Sequence, residues 1–294
     1  MSTSISTTLC TGGSVWSFFD RVQSCKTGAN PHPLQLELSS PVRHIQSRRN
    51  LQKCAEYSPK GSYTTINGLK AYVIGPEDAM VSVLIVYDIF GYSPQIFQGA
   101  DLIASQGYRV VMPDFLVGNY ATPEMFKPEN EAKKAEYFSK FPGACGTQSE
   151  PVAKAINSLK EAGHNKVAVA GYCWGYKAAV LSEGLAKADA LIGVHPTFPA
   201  PDDVDRINVP LAMLSSSGED MNVCKIDETV QKQINAIQKG VESKNPGKNF
   251  FKHFPEQVHG FAAARGDLSG GATTEAYAEA YRLIVKFLKD QVSA

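Results

Sequence analysis

The chain has 294 residues, and its 29 Lys and Arg balance its 29 Asp and Glu, so the formal net charge is zero. That balance argues against a nucleic-acid binder or a polybasic membrane-surface protein. No apolar run approaches the roughly 18 residues that a membrane span needs, and the six scattered cysteines include no CxxC pair, which disfavours a zinc site, a redox dithiol or a disulfide scaffold.

Residues 1–52 differ from the rest. They are rich in Ser and Thr and carry Arg21, Lys26, Arg43, Arg48 and Arg49 against only two acids, Asp20 and Glu37. No helical or strand period persists there, and the polar start lacks the apolar core of a secretory signal. The segment reads as a disordered extension or as an organelle transit peptide. The location implied is cytoplasmic in the first case and mitochondrial or plastid in the second. Residues 53–294 read as one domain.

Regular patterning begins after Cys54. Thr64–Ile66 and Leu69–Ile74 flank Asn67-Gly68, the residue pair that a two-residue hairpin turn favours. Val81–Tyr87 is continuously apolar and β-branched, as a strand buried on both faces requires. Helical spacing runs from Gln95 to Gln106 and stops at Gly107. Arg109–Met112 is a short strand ended by Pro113-Asp114. Pro123–Phe141 is polar, with helix formers in its second half, and a helix follows over Glu150–Ala162. Lys166–Ala170 is a buried strand running into Gly171, and Ala178–Leu185 is helical. Strands at Ala190–His195 and Leu211–Leu214, a helix at Asp227–Gln238, a strand at Phe250–Phe254 and a long helix at Thr274–Val292 complete the domain. Strands alternate with helices, which implies an α/β fold: a mostly parallel sheet covered by helices on both faces.

Gly171-Tyr172-Cys173-Trp174-Gly175 lies between an expected strand and an expected helix. It fits the G-x-nucleophile-x-G elbow with Cys in the position usually held by Ser. The glycines have a steric role, because side chains two residues either side of a nucleophile on a sharp turn would strike the neighbouring strand and helix. The competing reading is a buried structural cysteine.

A thiol nucleophile needs a base, and the base an orienting acid. In this type of site the chain order is nucleophile, acid, histidine. His259 lies in a loop just past a strand end and is the favoured base, while His253 alternates within a strand and reads as structural. The acid should follow Leu211–Leu214, where Asp220 is favoured, Glu219 is its neighbour to exclude, and Asp227 reads as a helix cap. His195 ends a strand, where it either touches ligand or serves as a hydrogen-bonded structural imidazole. His32, His44 and His164 carry no signal. Asp88, at the end of the first buried strand, either modulates the thiol or caps its own loop.

Five motifs then make a resemblance specific: Tyr87–Gly91, the Gly171–Gly175 elbow, His195–Phe198, Gly218-Glu219-Asp220 and Val258–Phe261. In this order they resemble the dienelactone hydrolase (carboxymethylenebutenolidase-like) family, most closely its fungal and plant branch, over Cys54–Ala294. The resemblance implies an α/β-hydrolase fold and a Cys-Asp-His triad carried by Cys173, Asp220 and His259. It also implies an acid near the nucleophile; the bacterial enzymes have Glu there and this chain has Asp88. Arg265 is the nearest counterpart of the arginines that bind a lactone carboxylate in those enzymes. The implied activity is hydrolysis of a small-molecule ester or lactone, with backbone N–H groups of Trp174 and Ile89 as the oxyanion hole. A thioesterase or acyl transferase with the same triad, and a non-catalytic ligand-binding protein on the same scaffold, are the alternatives. No cofactor or metal, no nucleic acid and no membrane span are expected, and the chain is expected to be a monomer or weak homodimer.

Overall fold

The computed structural model describes residues 57–141, 146–217 and 228–293. Residues 1–52, Glu219, Asp220, Asp227 and every cysteine except Cys173 lie outside them.

Eight strands form one sheet in the order β1-β2-β4-β3-β5-β6-β7-β8. The hairpin β1 (Ser62–Ile66) and β2 (Leu69–Ile74) turns at Asn67-Gly68, both with positive φ, and pairs antiparallel with β4 (Arg109–Pro113). From β4 the sheet is parallel through β3 (Val81–Val86), β5 (Lys166–Tyr172), β6 (Ala190–Val194), β7 (Leu211–Ser216) and β8 (Phe250–Phe254). Every residue of β3, β6 and β7 is buried, which is why those segments read as mainly apolar runs, interrupted only by the buried Ser82, Ser215 and Ser216.

The helices are α1 (Pro94–Ala104), α2 (Glu131–Ser139), α3 (Ser149–Glu161), α4 (Trp174–Leu181), α5 (Asp203–Arg206), α6 (Glu228–Lys244) and α7 (Ala272–Val292). The expected stripe Tyr277, Tyr281, Ile284 and Leu288 on α7 is fully buried. No described helix is long and apolar enough to cross a membrane.

Three expectations are corrected. The helix expected over Ala178–Leu185 starts at Trp174 and stops at Leu181. Ser182 turns extended there, and its side chain accepts the Gly184 N–H at 3.2 Å, capping a separate 3-10 turn over Glu183–Lys187. α6 runs to Lys244, beyond the expected Gln238. The short α5 went unseen because four residues carry too little periodicity to register.

Topology marks one end of the sheet as a candidate ligand site. β3 leads to β4 on one side and β4 leads back to β5 on the other, so the chain reverses direction across the sheet between β3 and β5. In open α/β sheets, ligands bind outside the carboxyl ends of the strands at such a switch point.

Candidate active site

The register Val86↔Gly171 aligns the ends of β3 and β5. Asp88 and Cys173 therefore each lie two residues past the paired level, and Ile89 and Trp174 three. Both N–H groups of the latter pair point to no backbone or side-chain acceptor among the described residues.

Cys173 caps α4 with φ 56° and ψ −122°, a conformation that L-residues rarely adopt. Strain of this kind costs of order 1–3 kcal/mol and persists only where surrounding structure imposes it. Here the glycines allow the enforcing contacts. A Cβ on Gly171 would sit 2.5 Å from Tyr176 N, and one on Gly175 would sit 2.3 Å from Val86 O. The Cys173 N–H donates to Val194 O at 3.1 Å, and its carbonyl accepts the Thr197 N–H at 3.1 Å, so β6 and its following loop hold the turn. Cys173 is buried.

Its Sγ lies 3.1 Å from Thr197 Oγ1. Thr197 lay inside a recognised motif but had no role in the sequence reading, because nothing local tells which strand-end loop reaches the thiol. The loop carrying Thr197 is anchored behind by the buried Lys177–Asp203 ion pair, with Asp203 Oδ2 also accepting the Ala200 N–H at 3.1 Å.

The structure brings His259 and His195 together. Their rings meet edge to face with centroids 4.9 Å apart. His259 Nε2 has no hydrogen-bond partner, so no bond joins it to Cys173. Burial and, second, the Arg265 guanidinium push the His259 pKa down to about 3, which keeps the imidazole neutral near pH 7. Asp220, expected to orient it, and Glu219 lie outside the described residues.

His195 corrects an expectation. It sits one residue past β6 with φ 37°, fully buried, and neither ring nitrogen has a partner. The hydrogen-bonded structural imidazole is therefore not what is found. Burial, with His259 and Arg265 nearby, holds its pKa well below the usual histidine range. His253 is structural as expected: Nδ1 lies 2.9 Å from Ser215 Oγ on the neighbouring strand. His164, silent in the sequence, is buried and bonds Ala79 O at 2.7 Å through Nδ1.

Asp88 spends both oxygens on backbone. Oδ1 accepts the Phe90 N–H at 2.9 Å, and Oδ2 accepts the Ala264 N–H at 3.3 Å, tying its own loop to the one after His259. Burial raises its pKa to about 6 against the opposing pull of those two N–H groups and Arg265. Arg265 Nη1 donates to His259 O at 2.9 Å, and Gln95 Nε2 donates to Ala264 O at 2.8 Å, so the same loop is held at three points.

Aromatic rings from the segment after β4 pack against the residues beside Asp88 and Cys173. Phe141 packs edge-on to Trp174 at 6.0 Å, and Phe126 lies 5.8 Å from Phe90. Tyr137, on α2, donates to Asn119 O at 3.1 Å and lies close enough to Cys173 and Asp88 to feel their charge. No group of His, Cys, Asp and Glu among the described residues could hold a metal ion.

Comparison with known proteins places these features in context. The family model described as "Dienelactone hydrolase family" matches residues 69–292. An uncharacterised AIM2 family protein of Schizosaccharomyces pombe is 29% identical over 247 residues, covering 79% of this chain and 92% of the relative. A carboxymethylenebutenolidase homolog of Xenopus tropicalis is 29% identical, covering 72% of this chain and 83% of the relative. The crystal structure of a dienelactone hydrolase from Anabaena variabilis superposes with a TM-score of 0.53 at 16% identity, over 79% of this chain and 97% of that one, which speaks for the fold.

Proposed function

The chain belongs to the dienelactone hydrolase family, and from that membership we propose that it hydrolyses a small-molecule ester or lactone through a covalent intermediate on Cys173. The observation that carries the reading is the strained backbone of Cys173 at the head of α4, at the sheet's switch point. An observed outlier of this kind is a reason to look for function there.

In the proposed mechanism, Cys173 Sγ attacks the carbonyl carbon as a thiolate. The N-terminal dipole of α4 favours the negative sulfur. The oxyanion is received by the N–H groups of Ile89 and Trp174, which the β3–β5 register brings to one level. Losing one such donor typically costs about 3–4 kcal/mol of transition-state stabilisation. His259, neutral at pH 7, takes the thiol proton at Nε2 and delivers it to the leaving alcohol. The Cys173–His259 contact has to form in the complex; catalytic hydrogen bonds are often long in ligand-free enzymes and tighten with substrate. Asp220 holds His259 in the tautomer that leaves Nε2 free. Water then cleaves the thioester. Thr197 holds the thiol before attack, and Asp88 acts by fixing the two loops that flank the sulfur.

Turnover of p-nitrophenyl esters tests this. Cys173→Ala should abolish it with the melting temperature retained, and blocking Cys173 with iodoacetamide should do the same. Asp220→Asn should lower kcat strongly, by about 10⁴ if the triad behaves as others do, and Glu219→Gln much less. Undiminished turnover by Cys173→Ala overturns the proposal; the reverse ranking of the two acids moves the role to Glu219.

A further inference from the structure

One buried polar group beside Cys173 has no part in the chemistry above. His195 carries two ring nitrogens without a hydrogen-bond partner, and His259 Nε2 beside it is a third. Most buried polar atoms in folded proteins are paired, and a cluster that is not paired calls for a partner that the working enzyme supplies. The two rings are in edge-to-face contact at 4.9 Å, and Tyr172 and Phe261 close His195 off at 5.8 and 6.1 Å. In either neutral tautomer His195 offers one N–H donor and one lone pair. A buried water typically makes two to four hydrogen bonds, about what the adjoining imidazoles provide.

The position is also suited to a reacting water. His195 directly follows Val194, whose carbonyl holds the Cys173 N–H at 3.1 Å, and the His195 N–H is itself pinned to Leu214 O at 2.6 Å. The ring therefore projects from a fixed backbone next to the nucleophile's own turn. The groups facing it are Tyr172, His259, Phe261 and, electrostatically, Arg265.

We infer that His195 and His259 together seat the water that hydrolyses the acyl-enzyme, with His195 orienting it and His259 deprotonating it. The inference rests on the proposed roles of Cys173 and His259. As the water oxygen bonds to the thioester carbon, His259 Nε2 takes its proton. Collapse of the tetrahedral species then breaks the C–S bond, the electron pair goes to sulfur, and the proton on His259 passes to the Cys173 thiolate while the carboxylic acid departs. Acylation needs no water, so it should be insensitive to His195.

The test separates the two half-reactions with p-nitrophenyl acetate. Acylation is read as p-nitrophenolate released in the first turnover, and deacylation as decay of the acetylated protein mass. His195→Phe keeps a ring and removes both nitrogens; His195→Asn keeps polar atoms and tolerates positive φ. In His195→Phe, acylation should stay within about twofold while deacylation slows roughly tenfold or more, so the acetyl adduct on Cys173 accumulates. Hydroxylamine, a nucleophile less in need of a general base, should discharge that adduct, and His195→Asn should restore part of the deacylation rate. Equal slowing of both steps, or no change in either, overturns the inference. Should His195→Phe fail to fold, His195→Asn supplies the same comparison, with deacylation slowed selectively if the inference holds. Absence of any Cys173 adduct in the unmodified protein would instead overturn the proposed function.

Discussion

Five described residues other than glycine have positive φ, and two of them, Asn67 and Cys173, are held there by different forces. Asn67, at φ 51° in the β1–β2 hairpin, is followed by Gly68 at φ 80°, and a Cβ on Gly68 would meet nothing within 4 Å. That turn is specified locally, by residue types that accept the conformation in the open. Cys173, at φ 56°, has no such local preference. Its turn exists because β6 holds its N–H, the loop after β6 holds its carbonyl, and Gly171 and Gly175 let strand and helix backbones approach to distances no side chain allows. The first turn costs the fold little; the second stores strain at the sulfur. His195 and Phe198, also at positive φ, fall in the next strand-end loop, so three of the five described non-glycine residues with positive φ gather around the site, the other two being Asn67 and the exposed Val117.

Substitutions can break this contrast, in falling order of effect. Gly175→Ala places a methyl group 2.3 Å from Val86 O, a backbone atom that cannot step aside. It should cost several kcal/mol, on the scale of severe overpacking, read as a collapse of the melting temperature together with turnover. A near-normal melting temperature would show that the elbow is not held by backbone approach.

Asp88→Asn comes next, on the site side. The buried carboxyl keeps its proton more tightly folded than unfolded, its pKa rising from 3.8 to about 6. Its contribution to stability is therefore greatest below about pH 4 and is lost as pH rises through about 6. The loss corresponds to about 3 kcal/mol at most, from about 1.4 kcal/mol per pKa unit. Asn cannot ionise, so the decline between pH 4 and 7 in urea-unfolding free energy should flatten in Asp88→Asn. At pH 4 the parent carboxyl is also neutral and, like the amide, offers one carbonyl acceptor, so the two proteins should be closest in stability there, while the pH profile of Cys173 alkylation stays unchanged. A shifted alkylation profile would instead give Asp88 direct contact with the thiol.

Gly68→Ala should cost about 1–2 kcal/mol through its positive φ alone and leave ester turnover untouched, since the hairpin forms the edge of the sheet with β4 between it and β3. A turnover loss beyond that of the melting curve would couple the two turns. Thr197→Val should have the smallest effect. Removing one hydroxyl bond of about 1 kcal/mol should speed alkylation of the Cys173 thiol about fivefold, with little change in melting temperature; unchanged alkylation would mean that Thr197 does not hold the sulfur.

Legibility varied along the chain for physical reasons. Val81–Tyr87 and Lys166–Ala170 were readable because a strand buried on both faces is mostly apolar, and the hairpin because Asn-Gly is a local signal. α4 was mislaid at both ends, since a helix buried all round has no polar face to show a period: seven of its eight residues are buried. His164 showed nothing in its neighbours to mark the bond to Ala79, which lies 85 residues away. Thr197 was inside a recognised motif, yet its contact with Cys173 spans 24 residues and exists only once β5 and β6 are paired.

By itself, then, the sequence determined the alternation of strands and helices and the elbow with its cysteine between two glycines, because each is a matter of local composition and spacing, and it singled out His259 as the proposed base only by its loop position past a strand end. The tertiary structure alone decided that Asp88 would bind two loops and that His195 would face His259 with no partner of its own. It likewise decided that Phe141, from the segment between α2 and α3, would pack edge-on against Trp174. These are decided by which strand ends become neighbours in the sheet, and neighbours across a sheet are set by pairing order, which no single segment encodes.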